Sequence, residues 1–156
     1  MYKILFVCSG NTCRSPLAEA MLRKAIEEDA DLKGKVAVSS AGTSTHFEDI
    51  VQYKAVEAGA KYGVDLNGYK SRQFAPELLD MFDIVIGMSK GHRDIINAHF
   101  PEKADKVVAL YEYITDEKDC KDVKDPFGSD QETYDKIAKE IHDLVELMLP
   151  KIKQSV

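Results

Sequence analysis

Four short runs of apolar residues punctuate the chain, and polar or mixed segments separate them. They cover residues 4–7, 36–38, 83–87 and 107–110. Within each run the apolar residues are nearly continuous instead of alternating with polar ones, a pattern typical of strands that are buried on both faces of a sheet. The pattern therefore predicts four strands, each covered on both sides.

Between and after these strands, apolar residues recur at helical spacing. We predict helices over residues 15–30, 49–62, 76–81, 90–99 and 132–149, with Pro150 marking the end of the last one. Strands that alternate with helices favour a parallel sheet with helices on both faces. We therefore expect a single α/β domain over residues 1–156, built on a doubly wound, four-stranded parallel sheet. In such sheets ligands bind beyond the carboxyl ends of the strands.

The first strand ends at a cysteine, and a polar loop leads from it into the first helix. Cys8 closes the apolar run, and Arg14 precedes the Ser15-Pro16 pair that opens the helical pattern. A strand followed by a tight loop and a helix N-terminus binds anions, because backbone N–H groups converge there and the helix dipole adds positive charge. The phosphate-binding residues that we predict are Ser9, Gly10, Asn11, Thr12, Cys13, Arg14 and Ser15.

Each residue type in this loop suits a phosphate site with a thiolate in its floor. The helix N-terminus and Arg14 both favour the thiolate form of Cys8, which would be the nucleophile. The planar fork of Arg14 matches two phosphoryl oxygens. We expect Ser15 to cap the helix and to donate a hydrogen bond to the Cys8 sulfur. Gly10 is expected to take a positive φ, and Asn11 to tolerate a left-handed conformation while tying the loop to its neighbours.

Thiolate attack on phosphorus also requires a general acid for the leaving group and later a base for water. Asp125 is the candidate, because Pro126 stiffens the chain after it and Phe127-Gly128 predicts a turn that presents it over the site. The spacing by itself does not separate Asp125 from the other acidic residues of the preceding segment, which would ordinarily be solvated charges.

Charge and composition narrow the range of partners. The 156 residues carry a net charge of −6, which argues against nucleic-acid binding. No signal peptide or membrane span is evident, and three cysteines, an odd number, favour a reducing cytoplasm over a disulfide framework. The four histidines lack metal-ligand spacing, so we expect no metal and no cofactor. We expect the protein to be a monomer.

The segment CSGNTCRSPLAEA resembles the signature of the low-molecular-weight protein tyrosine phosphatases. Two further segments resemble those of the family and occur at corresponding places in the chain. They are Ser40-Ala41-Gly42-Thr43 and Asp125-Pro126-Phe127. The resemblance implies a flavodoxin-like, phosphotyrosine phosphatase I-like fold, a phosphocysteine intermediate on Cys8, phosphoryl binding by Arg14 and acid–base catalysis by Asp125.

The resemblance also assigns supporting and redox roles. Asn11, Ser15 and Ser40 would hold the loop by hydrogen bonds, and Tyr69 stands where the family usually has a histidine in that network. Cys13 would form a reversible disulfide with Cys8 that protects the nucleophile from over-oxidation. The alternative is that Cys13 only packs beneath the loop as a small buried residue.

Three positions bear on the substrate. Thr12 replaces the larger aliphatic residue common in phosphotyrosine-specific members, Phe127 is a lone aromatic after Asp-Pro, and no tryptophan occurs near His46. These features resemble the protein arginine phosphatase branch, so protein phosphoarginine is the favoured substrate and phosphotyrosine the alternative. An arsenate reductase is a further alternative, although the chain lacks a thiol pair after the third strand.

Overall fold

The computed structural model describes residues 1–46 and 49–156. Its centre is one sheet of four parallel strands in the order β2-β1-β3-β4. The strands are β1 (Tyr2–Cys8), β2 (Val36–Gly42), β3 (Ile84–Gly87) and β4 (Val107–Ala109). The predicted α/β class and the four-stranded parallel sheet are therefore confirmed.

Six α-helices connect and cover the strands in the part of the chain that the structure describes. They are α1 (Arg14–Glu27), α2 (Tyr53–Ala60), α3 (Glu77–Met81), α4 (Lys90–His99), α5 (Leu110–Thr115) and α6 (Gln131–Lys153), and a 3-10 helix spans Pro101–Lys106. β1 contributes to both layers of the core. Ile4 and Phe6 pack with α1 and α6 on one face, whereas Leu5 and Val7 pack with α3 and α4 on the other. All four side chains are fully buried, as the continuous apolar run predicted.

Several predicted boundaries are wrong, each for a local reason. Pro150 lies inside α6, which continues to Lys153 because fully buried Ile152 anchors the last turn to the core. Proline removes only one backbone hydrogen bond there, near the helix end. Leu110 begins α5 instead of ending β4, and α1 begins at Arg14 and ends at Glu27. β2 extends to Gly42 because Ser39 and Ser40 pair with β1 like the apolar residues before them.

The sheet order brings three strand ends together. β1 lies between β2 and β3, so Cys8 is paired with Gly42 on one side and Val7 with Gly87 on the other. Helix α1, which links β1 to β2, covers one face of the sheet, whereas α4, which links β3 to β4, covers the other. The end of β1, between β2 and β3, is therefore the topological switch point. The loop after Cys8 begins at this point.

Candidate active site

Residues 8–15 form a loop that we call the phosphate-binding loop. Its backbone carbonyl groups are hydrogen-bonded to neighbouring segments, whereas most of its N–H groups are not. Three of these carbonyl groups accept backbone hydrogen bonds from the segment that follows β2: Cys8 O from Thr43 N at 2.9 Å, Ser9 O from Ser44 N at 2.9 Å, and Thr12 O from Gln52 N at 2.8 Å. In the described structure, the N–H groups of residues 9–13 donate to no protein acceptor. Five successive unpaired donors followed by a helix N-terminus form a binding nest for an oxyanion.

The left-handed residue of this loop is Asn11, with φ at 55°. The expectation that Gly10 takes a positive φ is wrong, since Gly10 is absent from the positive-φ residues of the described chain. Asn11 tolerates the conformation because its short polar side chain bonds locally. The glycine that the loop does require is Gly42, where an added Cβ would come within 2.5 Å of the Ser9 carbonyl oxygen.

The side chain of Asn11 determines the direction of the hydrogen bonds that reach the nucleophile. Its Oδ1 accepts the Arg72 backbone N–H at 2.9 Å, which fixes the orientation of the amide. Its Nδ2 then donates to Ser15 Oγ at 2.8 Å and to Ser40 Oγ at 3.0 Å. Ser15 Oγ lies 2.9 Å from Cys8 Sγ, and since it already accepts from Asn11, its own proton is directed to the sulfur. Ser15 does not cap α1, because the helix starts one residue earlier.

Tyr69 completes this network on the side away from the nucleophile. Its hydroxyl is hydrogen-bonded to Ser40 Oγ and lies 3.2 Å from Glu19 Oε1. Glu19 is buried and forms an ion pair with Arg23 at 3.0 Å. Burial raises the pKa of Tyr69, and the Glu19 carboxylate adds to this shift, so the phenol is neutral and can donate. Tyr69 therefore contacts Ser40, one of the residues that hold the Asn11 side chain.

Arg14 connects the phosphate-binding loop to the candidate acid. The guanidinium is only 6 % exposed; Nη1 donates to Val123 O at 3.0 Å, and Nη2 lies 3.6 Å from Asp125 Oδ2. Asp125 begins a turn in which its Oδ1 accepts the Phe127 N–H at 3.0 Å and Gly128 has φ at 80°. The structure thus places Asp125 next to Arg14 at the start of the predicted turn.

These elements enclose a cleft of about 180 Å³. Cys8, Arg14 and Asp125 all line it, as do the three predicted selectivity residues Thr12, His46 and Phe127. Four further lining residues were not predicted: Ser44, Asp49, Gln52 and Tyr134. The first three lie between β2 and α2 and the last lies in α6, and none of them belongs to a local pattern that would have identified it.

His92 is a further residue that sequence reasoning missed. It is buried on α4, with Nε2 3.0 Å from Ser9 Oγ and Nδ1 2.8 Å from Ser89 Oγ. Gly87 permits this packing, because a Cβ there would come within 2.9 Å of the His92 Cβ. Burial, and then the charge of Arg14, lower the pKa of His92 to about 4, so the imidazole is neutral and supports the loop by hydrogen bonding.

The second cysteine of the loop, Cys13, is buried and lines the same cleft. Burial and the neighbouring Cys8 raise the pKa of its thiol, so Cys13 is protonated. Both thiols are free in this structure, and the proposed disulfide stays a prediction. Cys120 lies partly exposed on another loop.

Residues 1–46 and 49–156 contain no group of three or more His, Cys, Asp or Glu side chains arranged to hold a metal ion. Over the same ranges, no helix is long and apolar enough to cross a membrane.

The chain is similar to known proteins over nearly its whole length. Residues 3–156 match the family described as low molecular weight phosphotyrosine protein phosphatase. A protein-arginine-phosphatase from Bacillus subtilis is 37% identical over 151 residues, covering 97% of each chain. The low molecular weight protein-tyrosine-phosphatase PtpB from Staphylococcus aureus is 35% identical over 144 residues, covering 92% of this chain and 94% of the relative.

A solved structure points to the same family. It is that of the arginine phosphatase YwlE, in a variant with a phosphorylated active-site serine. It is 36% identical, has a TM-score of 0.88, and the match covers 97% of this chain and 95% of that one. The chain belongs to the low molecular weight protein tyrosine phosphatase family.

Proposed function

We propose that this protein is a cysteine-dependent protein phosphatase that hydrolyses phosphoarginine through a phosphocysteine intermediate. The observation that carries the chemistry is the nest of unpaired N–H groups beside Cys8, with the guanidinium of Arg14 next to it. This arrangement directs donors and one positive charge at the equatorial oxygens of a transferring phosphoryl group, where charge develops in the transition state.

In the first step the Cys8 thiolate attacks phosphorus. A sulfur–phosphorus bond forms while the bond from phosphorus to the leaving nitrogen breaks. The electron pair of the broken bond goes to that nitrogen, which takes the proton of the Asp125 carboxyl group. Ser15 stabilises the thiolate beforehand, because its hydroxyl proton is directed to the sulfur. Arginine leaves, and the enzyme retains a phosphocysteine and an Asp125 carboxylate.

In the second step Asp125 acts as a base. The carboxylate accepts a proton from water while the water oxygen bonds to phosphorus. The sulfur–phosphorus bond breaks, its electron pair returns to Cys8 as the thiolate, and inorganic phosphate leaves. Asp125 is protonated again, ready for the next substrate. Its half-exposed side chain gives water a route to this position.

Sequence identity does not decide the substrate, because an arginine phosphatase and a tyrosine phosphatase share nearly the same percentage of identical residues with this chain. The cleft itself favours phosphoarginine. Its volume suits a slim side-chain head group, and Phe127, the aromatic residue after Asp-Pro, is 72% exposed at its edge. A phenyl ring beside the lone aromatic after Asp-Pro lacks the stacking contact that a second adjacent aromatic would give, worth about 0.5–1.5 kcal/mol.

The decisive experiment compares kcat/KM on two peptides of the same sequence, one with phosphoarginine and one with phosphotyrosine. We expect the wild type to prefer phosphoarginine by about tenfold or more, and Thr12→Ile to move the ratio towards phosphotyrosine by a similar factor. Thr12→Val is the matched control, since it removes the hydroxyl at nearly constant volume. Cys8→Ser should abolish turnover of both peptides.

Phosphotyrosine remains the second candidate, because exposed Phe127 still offers one ring for stacking and PtpB is a tyrosine phosphatase of the same family. A wild-type preference for the phosphotyrosine peptide that Thr12→Ile leaves unchanged would favour it. Arsenate reduction is disfavoured, because the turn after β3 begins Met88-Ser89 and carries no thiol.

We further propose that the enzyme works as a monomer in the cytoplasm, where Cys8 is kept reduced. Its substrates would be phosphorylated proteins, with no role for nucleic acid. Size-exclusion chromatography with light scattering tests the oligomeric state, and a mass near twice 17.5 kDa would contradict it.

A further inference from the structure

We propose that Asp49 binds the guanidinium group of the substrate, so that Asp49 and Asp125 divide recognition and proton transfer between them. This inference rests on the proposed function of the cleft. No sequence pattern singles out Asp49; its place in the folded cleft does.

Asp49 lines the same cleft as Cys8, Arg14 and Asp125. The volume of about 180 Å³ is below the ~300–1,000 Å³ typical of pockets for drug-sized ligands. A phosphoguanidine and part of its aliphatic stem are enough to fill such a space. A substrate head group seated over Cys8 therefore comes close to the walls that Asp49 and Asp125 form.

The position of Asp49 is fixed by the backbone around it. Its N–H donates to His46 O at 3.2 Å, and its carbonyl accepts the Ser71 N–H at 2.8 Å. Its Oδ1 accepts the Ile50 N–H at 3.0 Å. Within the described chain, Oδ2 has no hydrogen-bond partner and the carboxylate forms no ion pair. One carboxylate oxygen is thus held in place at the cleft and remains free to accept from a ligand.

The charges around the cleft favour a substrate that brings its own cation. Arg14 is the permanently charged cation among the lining residues, whereas Asp49, Asp125 and the reactive Cys8 thiolate are acidic groups. A phosphoryl group attached to a phenol brings no positive charge of its own to these acidic side chains. Phosphoarginine supplies a guanidinium that a carboxylate can bind through two parallel hydrogen bonds.

The mechanism explains why a second carboxylate is needed. Asp125 must carry a proton when substrate binds, because it protonates the leaving nitrogen in the first step. In that form it is neutral and is a poor partner for a cation. Asp49 has no proton to give in the reaction, so its carboxyl group can bind the guanidinium until arginine leaves.

The test measures kcat/KM of Asp49→Asn on the matched phosphoarginine and phosphotyrosine peptides. Asparagine keeps an oxygen for the Ile50 N–H but removes the charge. We expect kcat/KM on phosphoarginine to fall about tenfold or more, while that on phosphotyrosine stays the same or rises. Asp49→Glu should recover part of the loss. Asp105→Asn makes the same change in net charge at an exposed residue outside the cleft, and should change neither value.

The possible outcomes separate this inference from the proposed function. A wild type that prefers phosphotyrosine refutes the proposed substrate, whereas the effect of Asp49→Asn on the ratio of the two peptides judges Asp49. An equal loss on both peptides, or the same shift in Asp105→Asn, would overturn the role of Asp49. Should Asp49→Asn fail to fold, Asp49→Ser retains an acceptor for Ile50 and gives the same comparison.

Discussion

The phosphate-binding loop and the acid loop, residues 125–129, lie against each other but are built in opposite ways. In the phosphate-binding loop, Asn11 and Ser15 are fully buried. The Asn11 side chain donates hydrogen bonds to the hydroxyl groups of Ser15 and Ser40. In the acid loop, the side chains of Asp125 and Phe127 are 53% and 72% exposed. Turn hydrogen bonds and the neighbouring Arg14 hold that loop.

The difference follows from what each loop has to do. Donors that stabilise charge in a transition state must be oriented before the reaction, and a buried, fully bonded network provides that orientation. An acid that serves a leaving group and then a water molecule needs access to solvent. Because the acid loop contributes little to the core, its residues can change with little effect on stability. Charge stabilisation is thus the task of the buried loop, and proton transfer is the task of the exposed one.

The largest effect should come from Asp125→Asn in the acid loop. Asparagine cannot protonate the leaving nitrogen, so we expect kcat on phosphoarginine to fall by about 10²–10⁴. On p-nitrophenyl phosphate, whose leaving group needs little protonation, the first step should stay fast while hydrolysis of the phosphocysteine becomes slow. A stopped-flow burst of nitrophenolate measures this.

Asp119→Asn is the control for that prediction, because Asp119 is fully exposed in the segment that leads to Asp125 and forms an ion pair with Lys90. Its kcat should stay within about twofold of the wild type. Loss of the burst in Asp125→Asn, with equal loss of turnover on both substrates, would mean that Asp125 supports the site without transferring protons.

A smaller effect is expected at Asn11, which tests the buried loop. Asn11→Ala removes the acceptor of the Arg72 N–H and the donor to Ser15, and places alanine at a φ of 55°. We expect the free energy of unfolding, measured in urea, to be about 2–4 kcal/mol lower than that of the wild type. We expect kcat to fall about 10–100-fold. Tyr69→Phe, which removes only the outer support, should cost about 1 kcal/mol. A destabilised Asn11→Ala that retains full kcat would show that catalysis does not depend on this orientation.

The contrast between the loops also explains what the sequence could predict. The residues that we propose to contact the phosphoryl group are consecutive, so their types and order are visible in eight adjacent positions. The sheet was predictable for a similar reason, since each buried strand is a continuous apolar run. Asp125 needed the family resemblance, because exposed acidic residues surround it on both sides.

What the sequence did not predict depends on contacts between distant segments. His92 reaches Ser9 across 83 positions, and the Arg72 N–H reaches Asn11 across 61. Backbone N–H groups have no sequence signature, and a histidine on a helix looks the same whether it is buried or exposed. The continuation of α6 past Pro150 likewise depends on where Ile152 packs. These features become visible only when the strand order is known.

The smallest predicted effect concerns the pH dependence that His92 adds to stability. In the unfolded chain this imidazole takes up a proton near pH 6.5, whereas in the folded protein its pKa is about 4. The unfolded state therefore binds more protons between these values, and stability falls as the pH decreases through this window. Arg14 disfavours the charged imidazole, while Asp122 and Asp125 oppose that effect, and burial outweighs them.

We expect His92→Gln, measured by urea unfolding, to be about 1 kcal/mol less stable than the wild type at pH 7.5 because hydrogen bonds to Ser9 and Ser89 are weakened. Towards pH 4.5 this difference in stability should disappear or change sign. Only the wild type has His92, whose protonation in the unfolded chain lowers the free energy of unfolding by up to about 1.4 kcal/mol per pH unit. All other titrating groups are common to both proteins, so the difference between the two curves isolates His92. Parallel curves across this range would mean that the imidazole is protonated with equal ease in the folded and unfolded chain, and that it does not support the loop as a buried neutral group.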